Sequence, residues 1–319
     1  MKTTTNPVWL LTPRGPKNIS SVPSGVEYHR VLAGDDRHIA RGILAIVLLL
    51  AGLVFFSLAT GWVSALIDTQ LGNSPTDYTP VRHAGSMIGL ALLIPWSMLI
   101  QRWLYGVPAA SLHSVTSWFR FDLLGKALLV FGPAWLIVNG LGFLAPAEEV
   151  PWSQTDLIAM FLVTFLLTPL QTTGEEYGFR GLAFRVIGSW TRSPRAGLVA
   201  GVVVTSVLFT AMHGSTDPYI ITWYLTLFTC LAIITWRTGG LEIAIVLHAI
   251  LNTLTFIAAF YLRVDFGAAI QDRSAGVGTP YQLLPALAVI AITAVIWWWT
   301  RKTGPALTPA TTTQLNQER

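Results

Sequence analysis

The chain has 319 residues, of which 53% are hydrophobic and only 11% charged, and its mean hydropathy is +0.57. A soluble globular domain carries about a quarter charged residues, so these figures argue against an ordinary soluble fold and for an all-α integral membrane protein. The net charge of +4 is small and its basic residues fall in tails and short connections, which suits membrane orientation and argues against a nucleic-acid partner.

Residues 1–42 are polar and Pro-containing, show no cleavable signal peptide, and read as a flexible cytoplasmic tail. A polytopic helical membrane domain is expected over 43–302, and a second cytoplasmic tail over 303–319. About 20 apolar residues cross the hydrocarbon core as a helix. Eight such segments follow in order, at roughly 43–67, 84–104, 123–144, 157–175 or beyond, 196–213, 218–236, 240–262 and 281–300. The sixth and seventh are separated only by "RTGG", so they should form an antiparallel pair. With the N-terminus inside, about 17 of the Lys and Arg residues fall on inner segments and 3, Arg82, Arg263 and Arg273, on outer ones. Both termini are therefore expected in the cytoplasm, in a bacterial plasma membrane. "WWW" at 297–299 with Arg301 and Lys302 reads as an aromatic belt with a basic anchor. The one cysteine, Cys230, lies in an apolar run and reads as a packing residue.

Charged groups at membrane depth are costly and mark function. "QTTGEEYGFRGLAF" (171–184) places Glu175, Glu176 and Arg180 behind an apolar run. Taken from the inner loop near Ser193 and Pro194 at about 1.5 Å per residue, His213 lies roughly 28 Å along its helix, and His248 and Asn252 roughly 12 and 18 Å along theirs. If the fourth helix runs on to Trp190, Glu175 lies roughly 27 Å from that loop and approaches the histidines. A long, tilted fourth helix is expected on this ground, with Pro169 and Gly174 available to bend it.

Glu176 and Arg180 are i, i+4 and can pair on one helix face. Glu175 points about 100° away and stays free for acid–base work. His248 and Asn252 are also i, i+4 and present two polar side chains together. Bland readings stand beside these: a membrane-edge cluster for the acidic pair, an interfacial His213, and interhelical polar glue for His248 with Asn252. Glu242 and Asp122 read as first-turn acids suited to the helix dipole, and Asp217 as a solvated loop residue. His29, His38, His83 and His113 are assigned no role. Tyr177 and Phe179 read as packing.

In order, "EEYGFRG" (175–181), "FTAMH" (209–213) and "HAILN" (248–252) fit Glu-Glu-x-x-x-Arg, Phe-x-x-x-His and His-x-x-x-Asn. This set resembles the CPBP (CAAX protease and bacteriocin-processing, ABI) family of intramembrane proteases, which includes the type II CaaX prenyl endopeptidases. The resemblance covers roughly 150–262. It implies an active site buried in a helix bundle, in a cavity open to the cytoplasm, where a peptide bond of a membrane-associated or lipidated substrate is hydrolysed. By motif position, Glu175 and His213 would activate a water, His248 and Asn252 would stabilise the oxyanion, and Glu176 and Arg180 would support the first motif. The partners implied are membrane lipid and a protein or peptide substrate, prenylated in the CaaX-type case. A metal-free mechanism needs no cofactor. The alternative is a metalloprotease with Glu175, His213 and His248 as Zn²⁺ ligands. Two further functions compete: a proton-coupled transporter using the same residues as a relay, and a non-catalytic immunity or scaffold protein on the same fold.

Overall fold

In this computed structural model the described residues are 22–34, 38–74, 77–145, 150 and 152–309. Eight helices among them are long and apolar enough to cross a membrane. They are α1 (Ile39–Leu71), α2 (Pro80–Tyr105), α3 (Phe121–Leu144), α4 (Gln154–Gly188), α5 (Pro194–Ala211), α6 (Pro218–Thr238), α7 (Glu242–Tyr261) and α8 (Pro280–Trp299). The protein is an all-α integral membrane protein with eight candidate spans among the described residues, as the apolar runs imply.

Local chemistry sets the helix ends. Thr79, Ser153, Ser193 and Asp217 each accept a backbone N–H at the start of α2, α4, α5 and α6, and a proline follows three of them at the first helical position. Asp217 is thus a cap rather than simply a solvated loop residue. Gly72, Gly106 and Gly239 end α1, α2 and α6 in the left-handed region, where a Cβ would be strained. Asp122 sits in the first turn of α3, exposed and paired with Lys126 at 3.1 Å. Glu242 is more than a first-turn acid: it is fully buried and holds Arg120 through contacts of 2.9 and 2.7 Å.

The outer surfaces of α1, α3, α4 and α5 expose Phe55, Leu58, Trp62, Leu129, Ile137, Leu166 and Val199. Such bands would be a liability in water and are what lipid-facing helices require. Between helices the packing is tied by buried polar contacts. The Trp96 and Trp135 indoles donate to the carbonyls of Leu48 and Leu247, and His83 meets Thr164 Oγ1 at 2.9 Å. Gly174 lets α4 lie directly on the backbone of α2 at Leu90, where a Cβ would run into the carbonyl oxygen.

One end of the bundle gathers the connections 106–120, 189–193 and 239–241, together with residues 22–34 and 300–309. Nearly all the described Lys and Arg residues lie at or near this basic end, from Arg30 and Arg41 to Arg301 and Lys302. The far end, built from the described residues 72–74, 77–79, 145, 150, 152–153, 212–217 and 262–279, carries Arg82, Arg263 and Arg273. Residues 22–34 and 303–309 belong to the stretches expected as tails, yet both pack here. Tyr28 is fully buried, Gly25 N–H donates to the Thr308 carbonyl, and Thr308 N–H donates to that of Val26. Residues 39–42 of the expected N-terminal tail already belong to α1, and residues 1–21, 35–37 and 310–319 lie outside the described residues.

Candidate active site

Helix α4 is one 35-residue element, as the depth argument requires, but it is not uniform. It is α-helical over Gln154–Glu176, forms a wider π-helical stretch over Tyr177–Ala183, and returns to α-helix over Phe184–Gly188. The wide stretch begins directly after the acidic pair. Such stretches inside α-helices concentrate at functional sites.

Glu176 is fully buried and faces away from the cavity, toward Arg180 and His248. Arg180 Nη1 lies 3.2 Å from Glu176 Oε1, and the guanidinium is held between the rings of Phe209 and Phe228, 4.7 Å from each centroid. Alignment there is too poor for a hydrogen bond, so charge and ring quadrupoles hold the cation. His248 Nδ1 lies 2.8 Å from Glu176 Oε1. An ionised carboxylate only accepts, so Nδ1–H is the donor. Nε2 of the same ring then faces Glu175 Oε2 at 3.6 Å. One imidazole therefore spans both glutamates, a link that the i, i+4 spacings alone do not reveal.

His213 lies two residues beyond the end of α5 at Ala211. Its Nδ1 lies 2.7 Å from the Phe209 carbonyl oxygen, so Nδ1–H donates and Nε2 is left as a free acceptor. The ring rests on Tyr224 at 4.3 Å between centroids. Asn252 Nδ2 donates to Gln171 Oε1 at 3.3 Å. Glu175, His213, His248 and Asn252 all line one cavity of about 670 Å³. Gln171, Tyr224 and Arg273 line it too, and the sequence reading missed them. Gln171 had a usable signal, since it lies one turn before Glu175 on the same face. Tyr224 and Arg273 had none.

His83 and His113, assigned no role, are structural. His83 is buried between α2 and α4, and His113 is hydrogen-bonded to the Tyr177 hydroxyl. His29 is buried as well, against Phe184 and the Pro194 carbonyl. Phe179 stacks on Phe209 at 4.2 Å, as a packing residue should.

The candidate zinc ligands Glu175, His213 and His248 line the same cavity. Among the described residues no group of three or more His, Cys, Asp or Glu side chains is arranged to hold a metal ion. His248 has a carboxylate at each ring nitrogen, and His213 has given one nitrogen to a backbone carbonyl.

The three motifs lie on α4, α5 and α7, with Met212 and His213 just past the end of α5, and residues 154–254 match the family model described as type II CAAX prenyl endopeptidase Rce1-like. Residues 154–254 are an Rce1-like segment. No curated protein and no solved structure matches the chain. The match lies within the span expected from the motifs and contains all six candidate site residues. It makes a protease of the CAAX type, a peptide hydrolase, the general class of this membrane protein. The end of the bundle to which the cavity runs bears on two expectations, the cytoplasmic termini and a cavity open to the cytoplasm. The cavity draws on the far-end connections through Tyr78, Ser215, Phe266, Arg273 and Gly276, and on no residue of the basic-end connections. A cytoplasmic basic end and a cavity open to the cytoplasm are therefore incompatible in this chain.

Proposed function

We propose that the protein is an intramembrane endopeptidase that hydrolyses a peptide bond of a membrane-associated or lipidated polypeptide, with water activated by Glu175 and His213. The observation that carries this reading is the shared cavity. Two groups able to accept a proton, Glu175 and His213, line the same space as two groups able to donate hydrogen bonds, His248 and Asn252.

The steps follow from these positions. The Glu175 carboxylate takes a proton from a water as its oxygen attacks the scissile carbonyl carbon. His213 Nε2 accepts the water's second hydrogen and aims its lone pair. The carbonyl oxygen becomes an oxyanion and receives hydrogen bonds from Asn252 Nδ2–H and, when the ring carries its second proton, from His248 Nε2–H. Donors placed where charge develops supply much of such an enzyme's rate. Collapse of the tetrahedral intermediate breaks the C–N bond, and Glu175 returns its proton to the leaving amine. Glu176 and Arg180 act behind the reacting groups. Glu176 fixes the orientation of His248, and Arg180 balances the charge of Glu176 inside the protein. This chemistry calls on no metal, and its residues need no rearrangement into a ligand set.

The test is cleavage of a quenched peptide library by purified, detergent-solubilised protein, with and without chelator, beside Glu175→Gln. The expected result is Glu175-dependent cleavage that persists in metal-free protein. Cleavage that disappears on chelation and returns with zinc would replace this mechanism by a metalloprotease. A folded Glu175→Gln protein with full activity would remove Glu175 from the chemistry. Full complementation in cells by that variant would favour the scaffold reading.

A further inference from the structure

We propose that the cavity opens on the extracytoplasmic side of the membrane, so that the protein acts on polypeptides presented there. The substrate class rests on the proposed peptidase function, whereas the side of access does not.

Two independent observations combine. The first is charge. Nearly all the described Lys and Arg residues lie at the basic end, and only Arg82, Arg263 and Arg273 lie at the other. Cytoplasmic connections carry the excess of Lys and Arg, and this bias sets orientation. The far end also carries Asp68, Asp77, Asp156, Asp217, Asp265 and Asp272. The basic end is thus cytoplasmic and the far end is extracytoplasmic.

The second observation is the shape of the site. On the basic side of Glu175 the bundle is filled. Phe179, Leu182, Ala183, Phe184 and Arg185 have no exposed surface, and Arg180 is 1% exposed. Below them Arg185 is clamped by Ser111 and by the Tyr28 ring, 3.9 Å from its guanidinium carbon. On the other side the cavity rises along α4, α6 and α7 to Phe266 and Arg273 in the connection between α7 and α8. Approach from the cytoplasm would mean dismantling that packed layer, whereas approach from the far end needs only the cavity already present.

The geometry also sets a reach. His248 lies 13 residues before the end of α7 at Tyr261, which is roughly 20 Å of helix. An extended chain covers this in about six residues. A substrate anchored at the outer interface must therefore offer an extended segment of about that length to bring its scissile bond to Glu175.

The test uses the full chain in intact cells. Cys230 is buried and is the only cysteine, so Cys230→Ser gives a background for single introduced cysteines. Thr216→Cys and Ser274→Cys report on the far end, and Thr303→Cys on the basic end. All three positions are exposed. The expected result is that a membrane-impermeant maleimide labels positions 216 and 274 in intact cells and position 303 only after lysis. The reverse pattern would overturn the proposal. Thr255→Cys, on the cavity wall, tests the cavity itself. A small charged thiol reagent should modify it from outside intact cells, and modification only in inside-out vesicles would overturn the proposal. Labelling does not depend on catalysis. Failure of the peptidase reading would leave these patterns unchanged, and failure of the labelling would leave the peptidase assay standing.

Discussion

The two halves of α4 belong to one continuous helix and have opposite surroundings. From Gln154 to Leu170 only Met160, Thr164 and Thr168 are buried, at every fourth position, which is the stripe of a helix that faces lipid elsewhere. From Gly174 to Gly188 every residue is buried. Glu175 and Glu176 straddle the change in function as well as in packing: the first reaches the cavity, and the second is sealed behind it. A charge in a hollow wall stays available for chemistry, while a charge in a filled core has to be matched by partners. Removing groups on either side of this boundary should therefore have different effects.

The largest loss is expected from Arg180→Met. It leaves Glu176 and His248 without their cation in a fully buried place, and removing one member of a buried pair costs about 3–5 kcal/mol. Thermal unfolding in detergent should show a lower midpoint, and cleavage should fall with it. Glu175→Gln comes next and separates the halves most sharply. Loss of a general base lowers the rate roughly 10²–10⁴-fold, and the unfolding midpoint should stay at the wild-type value because no packed contact is removed. Gly174→Ala sits at the boundary. Its Cβ meets the Leu90 carbonyl oxygen of α2, and overpacking of this kind costs about 1–3 kcal/mol. A midpoint unchanged by this variant would show that α2 and α4 separate more easily than their packing suggests. Leu166→Ala, on the lipid-facing half and 63% exposed, should change neither midpoint nor cleavage, whereas Phe179→Ala in the filled half should cost about 3–5 kcal/mol. Similar losses from the two would dissolve the contrast.

Much of this is legible in the sequence. Hydropathy marks all eight spans because lipid demands long apolar runs, and apart from the inner end of α4 their ends fall within a few residues of those expected. The length of α4 could be inferred from depth, since a helix ending at Gln171 would strand the glutamates away from His213. Three features left no such trace. The packing of residues 22–34 depends on Tyr28 meeting Arg185, a contact between elements far apart in sequence. The bridging of both glutamates by His248 needs the relative rotation of α4 and α7, which spacing within one helix does not contain. The side on which the cavity lies depends on where side chains leave space, and composition says where charge goes but not where volume is missing.

The π-helical stretch over Tyr177–Ala183 has a consequence for how this helix tolerates change in length. A wide turn is the form a helix takes when it holds one residue more than its neighbours' geometry would admit. Each residue turns an α-helix by about 100°. The wide turn absorbs its extra residue locally, so deleting a single residue between 177 and 183 would let the stretch relax to ordinary pitch while Arg185 keeps nearly its present facing relative to Glu175. Loss of one residue from the α-helical turns on either side has no such slack and would turn everything beyond it by about 100°, so it should disturb the protein more than many substitutions of side-chain type.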